Sequence, residues 1–129
     1  MKKLEKESVI GISALLVHAA KIDEIYSDHE KELVKSFIKS YLEDDDINET
    51  LKKAEEIEKN SNQLLNFTNI IKRNSIDIKK DIIEHLWKVI ISDKTVDQYE
   101  SNLMRRICGL IYFPDKECAE IKMKLVNSK

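Results

Sequence analysis

Two acidic phrases set 70 residues apart limit what this chain can fold into. Asp23-Glu24-Ile25-Tyr26-Ser27-Asp28-His29-Glu30 returns as Asp93-Lys94-Thr95-Val96-Asp97-Gln98-Tyr99-Glu100. Each copy puts an Asp after an apolar stretch, an oxygen-bearing side chain four residues on, and a Glu three residues beyond that. The register extends past the acids, since Leu16 pairs with Leu86, Leu33 with Leu103, Val34 with Met104, Lys35 with Arg105 and Phe37 with Ile107. A fixed offset held over both polar and apolar positions predicts two copies of a helix-loop-helix unit.

With one Pro and two Gly in 129 residues, the chain has few of the residues that punctuate loops and strand turns. Long helices with short connections follow, and the length suits one domain over residues 1–129. The balance of 42% hydrophobic and 36% charged residues fits amphipathic helices with solvated outer faces, and excludes a disordered or membrane-embedded chain. A formal net charge of −2 offers no global field for nucleic acid.

Periodicity divides the chain into about seven helices. The first should run from about Leu4 to Ile22 and is apolar over most of its circumference, which places it centrally. A second carries Leu33, Val34, Phe37, Ile38, Tyr41 and Leu42 and ends near Glu43. Asp46 and Glu49 are spaced as a capping pair for a third, bearing Ile47, Leu51, Ala54 and Ile57. Asn60-Ser61-Asn62 separates it from a fourth with Leu64, Leu65, Phe67, Ile70 and Ile71. The fifth, from about Ile76 to Ser92, is again apolar nearly all round and should be the central partner of the first. A sixth carries Leu103, Met104, Ile107, Cys108, Leu110 and Ile111. Pro114 suits the first turn of a seventh, with Cys118, Ile121 and Leu125 as its buried stripe. The expected fold is an all-α single-domain bundle built from two pseudo-repeated helix-loop-helix units.

The acidic loops admit two explanations. Ser27 to Glu30 has capping-box spacing, and Asp97 to Glu100 repeats it with a carboxylate cap at the positive end of the helix dipole. Helix starts therefore account for Ser27, Glu30, Asp97 and Glu100. Asp23 and Asp93 are different, because a carboxylate just past a helix C-terminus faces the negative end of the dipole at a cost of roughly 0.3–1 kcal/mol. Each either folds over its loop to accept backbone N–H groups or joins Glu30 or Glu100 around a hard divalent cation. Neither loop has an EF-hand pattern, and three side chains fall short of the roughly six to eight oxygens that calcium takes.

An apolar helix running into Asp-Gly-x-hydrophobic-Asp/Ser-x-x-Glu, with a second copy before a further hydrophobic helix, resembles the tellurite-resistance TerB family and its TerB-like relatives. The similarity runs from about Leu15 to Ile38 and from about Leu86 to Leu125. It includes Leu86-Trp87, Glu100 with Leu103-Met104-Arg105-Arg106-Ile107, and Lys122. The resemblance implies an all-helical bundle with a cytoplasmic role in stress or its regulation. It also implies no established enzymatic activity, and metal binding at Asp23, Ser27 and Glu30 and at Asp93, Asp97 and Glu100. Calcium, magnesium or manganese is the implied cation. Glu24 and Lys94 stand where the family usually has Gly; the second loop keeps three carboxylates, whereas the first has Ser27 at the middle position.

Other side chains carry weaker signals. His18, His29 and His85 have no zinc spacing, although His18 and His85 sit late in the two central helices and could face one cavity. No Gly-rich phosphate loop or nucleophile elbow occurs, so no enzyme is expected. Trp87 is expected in the core, and with Tyr99 it flanks the second loop. The pairs Lys72-Arg73, Lys79-Lys80 and Arg105-Arg106 are too scattered for a nucleic-acid stripe. Cys108 and Cys118 lack C-x-x-C spacing and suit buried thiols in a reducing compartment. The N-terminal stretch lacks a cleavage pattern and fits a buried helix of a cytoplasmic protein rather than a signal peptide. The expected function is a non-enzymatic binding or sensing module with a protein partner. Peripheral membrane contact is compatible with it and a membrane span is not. A metal-independent interaction scaffold whose loops are helix caps is the alternative.

Overall fold

The computed structural model describes residues 4–21, 26–42, 47–61, 65–91 and 98–127, the side chains of 65 and 98–101 excepted. These residues form α1 (Lys6–Ala20), α2 (Asp28–Tyr41), α3 (Ile47–Asn60), α4 (Leu65–Lys72), α5 (Ile76–Ile91), α6 (Gln98–Leu110) and α7 (Asp115–Asn127). No strand occurs among them. Seven helices in an all-α arrangement match the expectation, and element ends move by a residue or two.

The most apolar helix lies at the centre. From Gly11 to Val17 every residue of α1 is buried, and the helix packs on α2, α3, α4 and α5. Gly11 faces α4, where an added Cβ would displace the end of the Ile70 side chain. Ser13 is the polar exception on α1, with a buried Oγ that has no hydrogen-bond partner. The fifth helix behaves as its pattern predicts, burying Ile82, Ile83, Leu86, Trp87, Val89, Ile90 and Ile91 against α1, α2 and α7.

Helices α5 and α6 begin 70 residues after α1 and α2. Their surroundings differ all the same. The main neighbours of α6 are α4 and α7, whereas α2 lies against α1, α3 and α5.

Two expectations shift on packing grounds. Ile57 is 43% exposed, because it faces an open groove between α3, α1 and α4 rather than the packed α3 face of Leu51 and Ala54. Pro114 is the residue before α7, where its carbonyl accepts from Cys118 N–H at 3.1 Å. The segment between α6 and α7 closes as a Schellman turn: Phe113 N–H reaches the Cys108 carbonyl at 2.8 Å and Tyr112 N–H the Gly109 carbonyl at 3.4 Å. The left-handed position of such a turn usually holds Gly. Here it holds Tyr112, at φ 59°, exposed and lying under the Lys72 ammonium.

Candidate functional site

The first acidic loop delivers its chain to α2 through a closed capping box. Ser27 is extended (φ −79°, ψ 164°), so its Oγ can turn back to accept from Glu30 N–H at 3.2 Å. The Glu30 Oε1 in turn accepts from Ser27 N–H at 2.8 Å. These bonds satisfy one donor of the α2 N-terminus and one of the residue before it. Glu30 is buried as it does so, at 1% exposure.

A polar cluster surrounds this start. Tyr26 donates its hydroxyl to Glu55 Oε2 at 2.7 Å, Lys21 reaches Glu58 Oε1 at 2.9 Å, and His18 Nδ1 lies 3.4 Å from Glu58 Oε2. The ammonium groups of Lys21 and Lys31 sit 5.9 and 5.2 Å from the Tyr26 ring centroid. Burial pushes the Tyr26 phenol above its ordinary range, as do the Glu55 hydrogen bond and charge and, further off, Glu30 and Glu58. The cluster thus joins the end of α1, the start of α2 and one face of α3.

Of the six residues singled out as candidate ligands, the structure describes the side chains of two, Ser27 and Glu30. Asp23, Asp93 and Asp97 lie outside the described residues, and Glu100 is described only as backbone in the first turn of α6. Among the described residues no group of three His, Cys, Asp or Glu side chains is arranged to hold a metal ion. Ser27 Oγ and Glu30 Oε1 are hard oxygen donors that fit such a cation in kind, and each already accepts a backbone N–H.

His18 and His85 do not share a cavity. His85 belongs to a second cluster, in which its Nδ1 is 2.8 Å from the Asp81 carbonyl, its ring meets Phe37 edge-on at 5.1 Å, and Tyr41 donates to Asp81 Oδ2 at 2.6 Å. Burial and the Asp81 hydrogen bond raise the Tyr41 phenol above its ordinary range. This group ties α2 to α5.

A groove of about 790 Å³ opens between α1, α3 and α4, with Ile10, Gly11, Ile57, Phe67 and Ile70 as its apolar floor and Glu7, Lys53 and Glu56 on its rim. Glu55, Glu58, Tyr26 and the groove were not legible as site features, because each depends on α3 lying against α1. Only the i,i+3 spacing of Glu55 and Glu58 hinted at a shared polar face.

No helix among the described residues is long and apolar enough to cross a membrane. A family model described as tellurite resistance protein TerB matches residues 10–123. No curated protein and no solved structure matches the chain.

Proposed function

The chain belongs to the TerB family, and from that premise we propose that it is a non-enzymatic binding or sensing module of a tellurite-resistance-like stress response. Its two acidic loops bind a divalent cation, with calcium, magnesium or manganese as the candidates. The observation that supports this best is Glu30, a buried carboxylate held at the exit of the first loop with Oε1 fixed by Ser27 N–H. A pre-positioned hard oxygen is what such a cation requires. Asp23 and Ser27 would complete the first loop's protein ligands, and Asp93, Asp97 and Glu100 those of the second. The described polar clusters are engaged in ties between helices, which supports a module that binds rather than catalyses.

A second reading has its own support. The closed capping box gives Ser27 and Glu30 a sufficient role without a ligand, which favours a metal-independent scaffold that docks a protein partner. Titration calorimetry with calcium, magnesium, manganese and zinc separates the two. Saturable heat that disappears in Asp93→Asn/Glu100→Gln, together with a melting temperature raised by metal, supports the cation module. Absence of heat and of any thermal shift at millimolar metal (on the order of 1 mM, the weak end of protein calcium sites) leaves the scaffold.

A further inference from the structure

Cys108 and Cys118 come from different helices, are separated in sequence by the Schellman turn, and lie beside each other in the core, close enough for each thiol to influence the other. Both are free thiols, and both are buried. Trp87, the single tryptophan of the chain, points its indole N–H at Cys118 Sγ at 3.3 Å. Lys122, one turn further along α7, lies over the same indole at 5.4 Å. An ordinary apolar core gives a cysteine neither a paired sulfur nor a directed N–H donor. The cluster also lies outside the acidic loops and serves none of the ties described there.

We propose that Cys108 and Cys118 form a reversible dithiol–disulfide site, oxidised by small hydroperoxides, in which Cys118 is the attacking sulfur, Cys108 the resolving one, and the Trp87 indole N–H the group that positions and stabilises the Cys118 thiolate. The assignment of roles follows the surroundings. Cys118 is 5% exposed and carries the indole donor, whereas Cys108 is fully enclosed. The neighbouring Cys108 thiol, helped by the Trp87 N–H and the Lys122 charge and opposed by burial and the Asp115 charge, draws the Cys118 thiol below its ordinary range.

In the first step the Cys118 thiolate attacks the outer oxygen of the hydroperoxide and the O–O bond breaks. Cys118 becomes a sulfenic acid, and the departing alkoxide or hydroxide takes up a proton. In the second step the Cys108 sulfur attacks Cys118 Sγ and the S–O bond breaks. The hydroxide leaves with the Cys108 proton as water, and a disulfide remains. Two thiols have then supplied the two electrons that reduce the peroxide.

Because Trp87 adjoins the reacting sulfur, its fluorescence reports the reaction directly. The test is to treat the reduced full chain with hydrogen peroxide, then follow intact mass without reductant, thiol alkylation after denaturation, and tryptophan emission. The expected result is joint loss of both thiols in a monomer lighter by two hydrogens, with a change in emission that a thiol reductant reverses. Cys108→Ser should stop at a Cys118 sulfenic acid that a cyclic diketone probe captures. Cys118→Ser should leave Cys108 unmodified. Trp87→Phe should slow the first step several-fold, and its circular dichroism is compared with the parent to confirm that the helices are intact. The proposal is overturned if both thiols survive a dose that consumes a small-molecule thiol, if oxidation links two chains, or if Cys118 over-oxidises while Cys108 stays free.

Discussion

Tyr26 donates its phenolic hydrogen to Glu55, at 2.7 Å and across 29 residues of sequence. That bond connects the exit of the first acidic loop to α3, a helix from the part of the chain that carries no recognisable motif. With the Lys21–Glu58 pair beside it, α3 is tied to the described residues that flank the loop on either side. The middle segment is therefore a structural partner of the first loop rather than a spacer between two motifs.

Removing the hydroxyl in Tyr26→Phe should lower stability by about 1–2 kcal/mol, the range for a hydrogen bond to a charged acceptor offset in part by water reaching Glu55. Urea unfolding checks it: the midpoint should fall while the slope stays constant. An unchanged midpoint would show that the tie contributes nothing.

The capping box predicts a ranking. Ser27→Ala removes the acceptor for Glu30 N–H and should cost about 1 kcal/mol. Glu30→Gln keeps an oxygen for Ser27 N–H and loses mainly the charge at the helix N-terminus, about 0.3–1 kcal/mol. Glu30→Ala orphans the Ser27 N–H as well and should cost the most. If the amide variant proves as damaging as the alanine variant, the charge of Glu30 matters more than its geometry, and the cation reading gains.

Ser13→Ala should stabilise the chain. The substitution deletes a buried hydroxyl without a partner and improves helix propensity, for a gain of about 1 kcal/mol. Most core substitutions destabilise, so a rise in the urea midpoint would be a distinctive result.

Tyr112 separates backbone strain from side-chain contact. Asn and Val both abolish the stacking under Lys72, but Asn tolerates the left-handed region and a β-branched residue does not. Tyr112→Val should be less stable than Tyr112→Asn by about 1 kcal/mol or more in the same unfolding experiment.

Alkaline pH should weaken the fold. Tyr26 and Tyr41 hold their protons more tightly when folded than when unfolded. Their contribution is complete below the unfolded phenol value of about 10 and declines as pH rises beyond it, since the unfolded chain ionises first. Spectroscopic titration should find two of the four tyrosines ionising only as helical signal is lost. The variant lacking both hydroxyls should lose less stability between neutral and alkaline pH.

What could be read in the sequence was whatever depends on near neighbours along the chain. Runs of apolar residues at helical spacing located the seven helices of the described residues, and an apolar pattern over most of the circumference marked α1 as central. Ser27 and Glu30 were legible as a capping pair because both partners lie within four residues. The ties of α3 were not. His18 and Glu58 are 40 residues apart, Lys21 and Glu58 are 37, and no local pattern selects one glutamate of α3 over the next. Ile57 was placed on a buried stripe for the same reason: periodicity finds a helix face but not where a groove opens between that face and its neighbours. Cys108 and Cys118 looked like unrelated small core residues, since their meeting requires the α6–α7 turn to reverse the chain.

Helix α7 rests chiefly on α5 and α6, at the edge of the bundle, while α1 is held from four sides. Cys118 rides on α7 whereas Cys108 and Trp87 belong to α6 and α5, so any opening that lifts α7 away also takes that sulfur from its neighbour and from its indole donor, and the thiol pair is assembled only while α7 is seated.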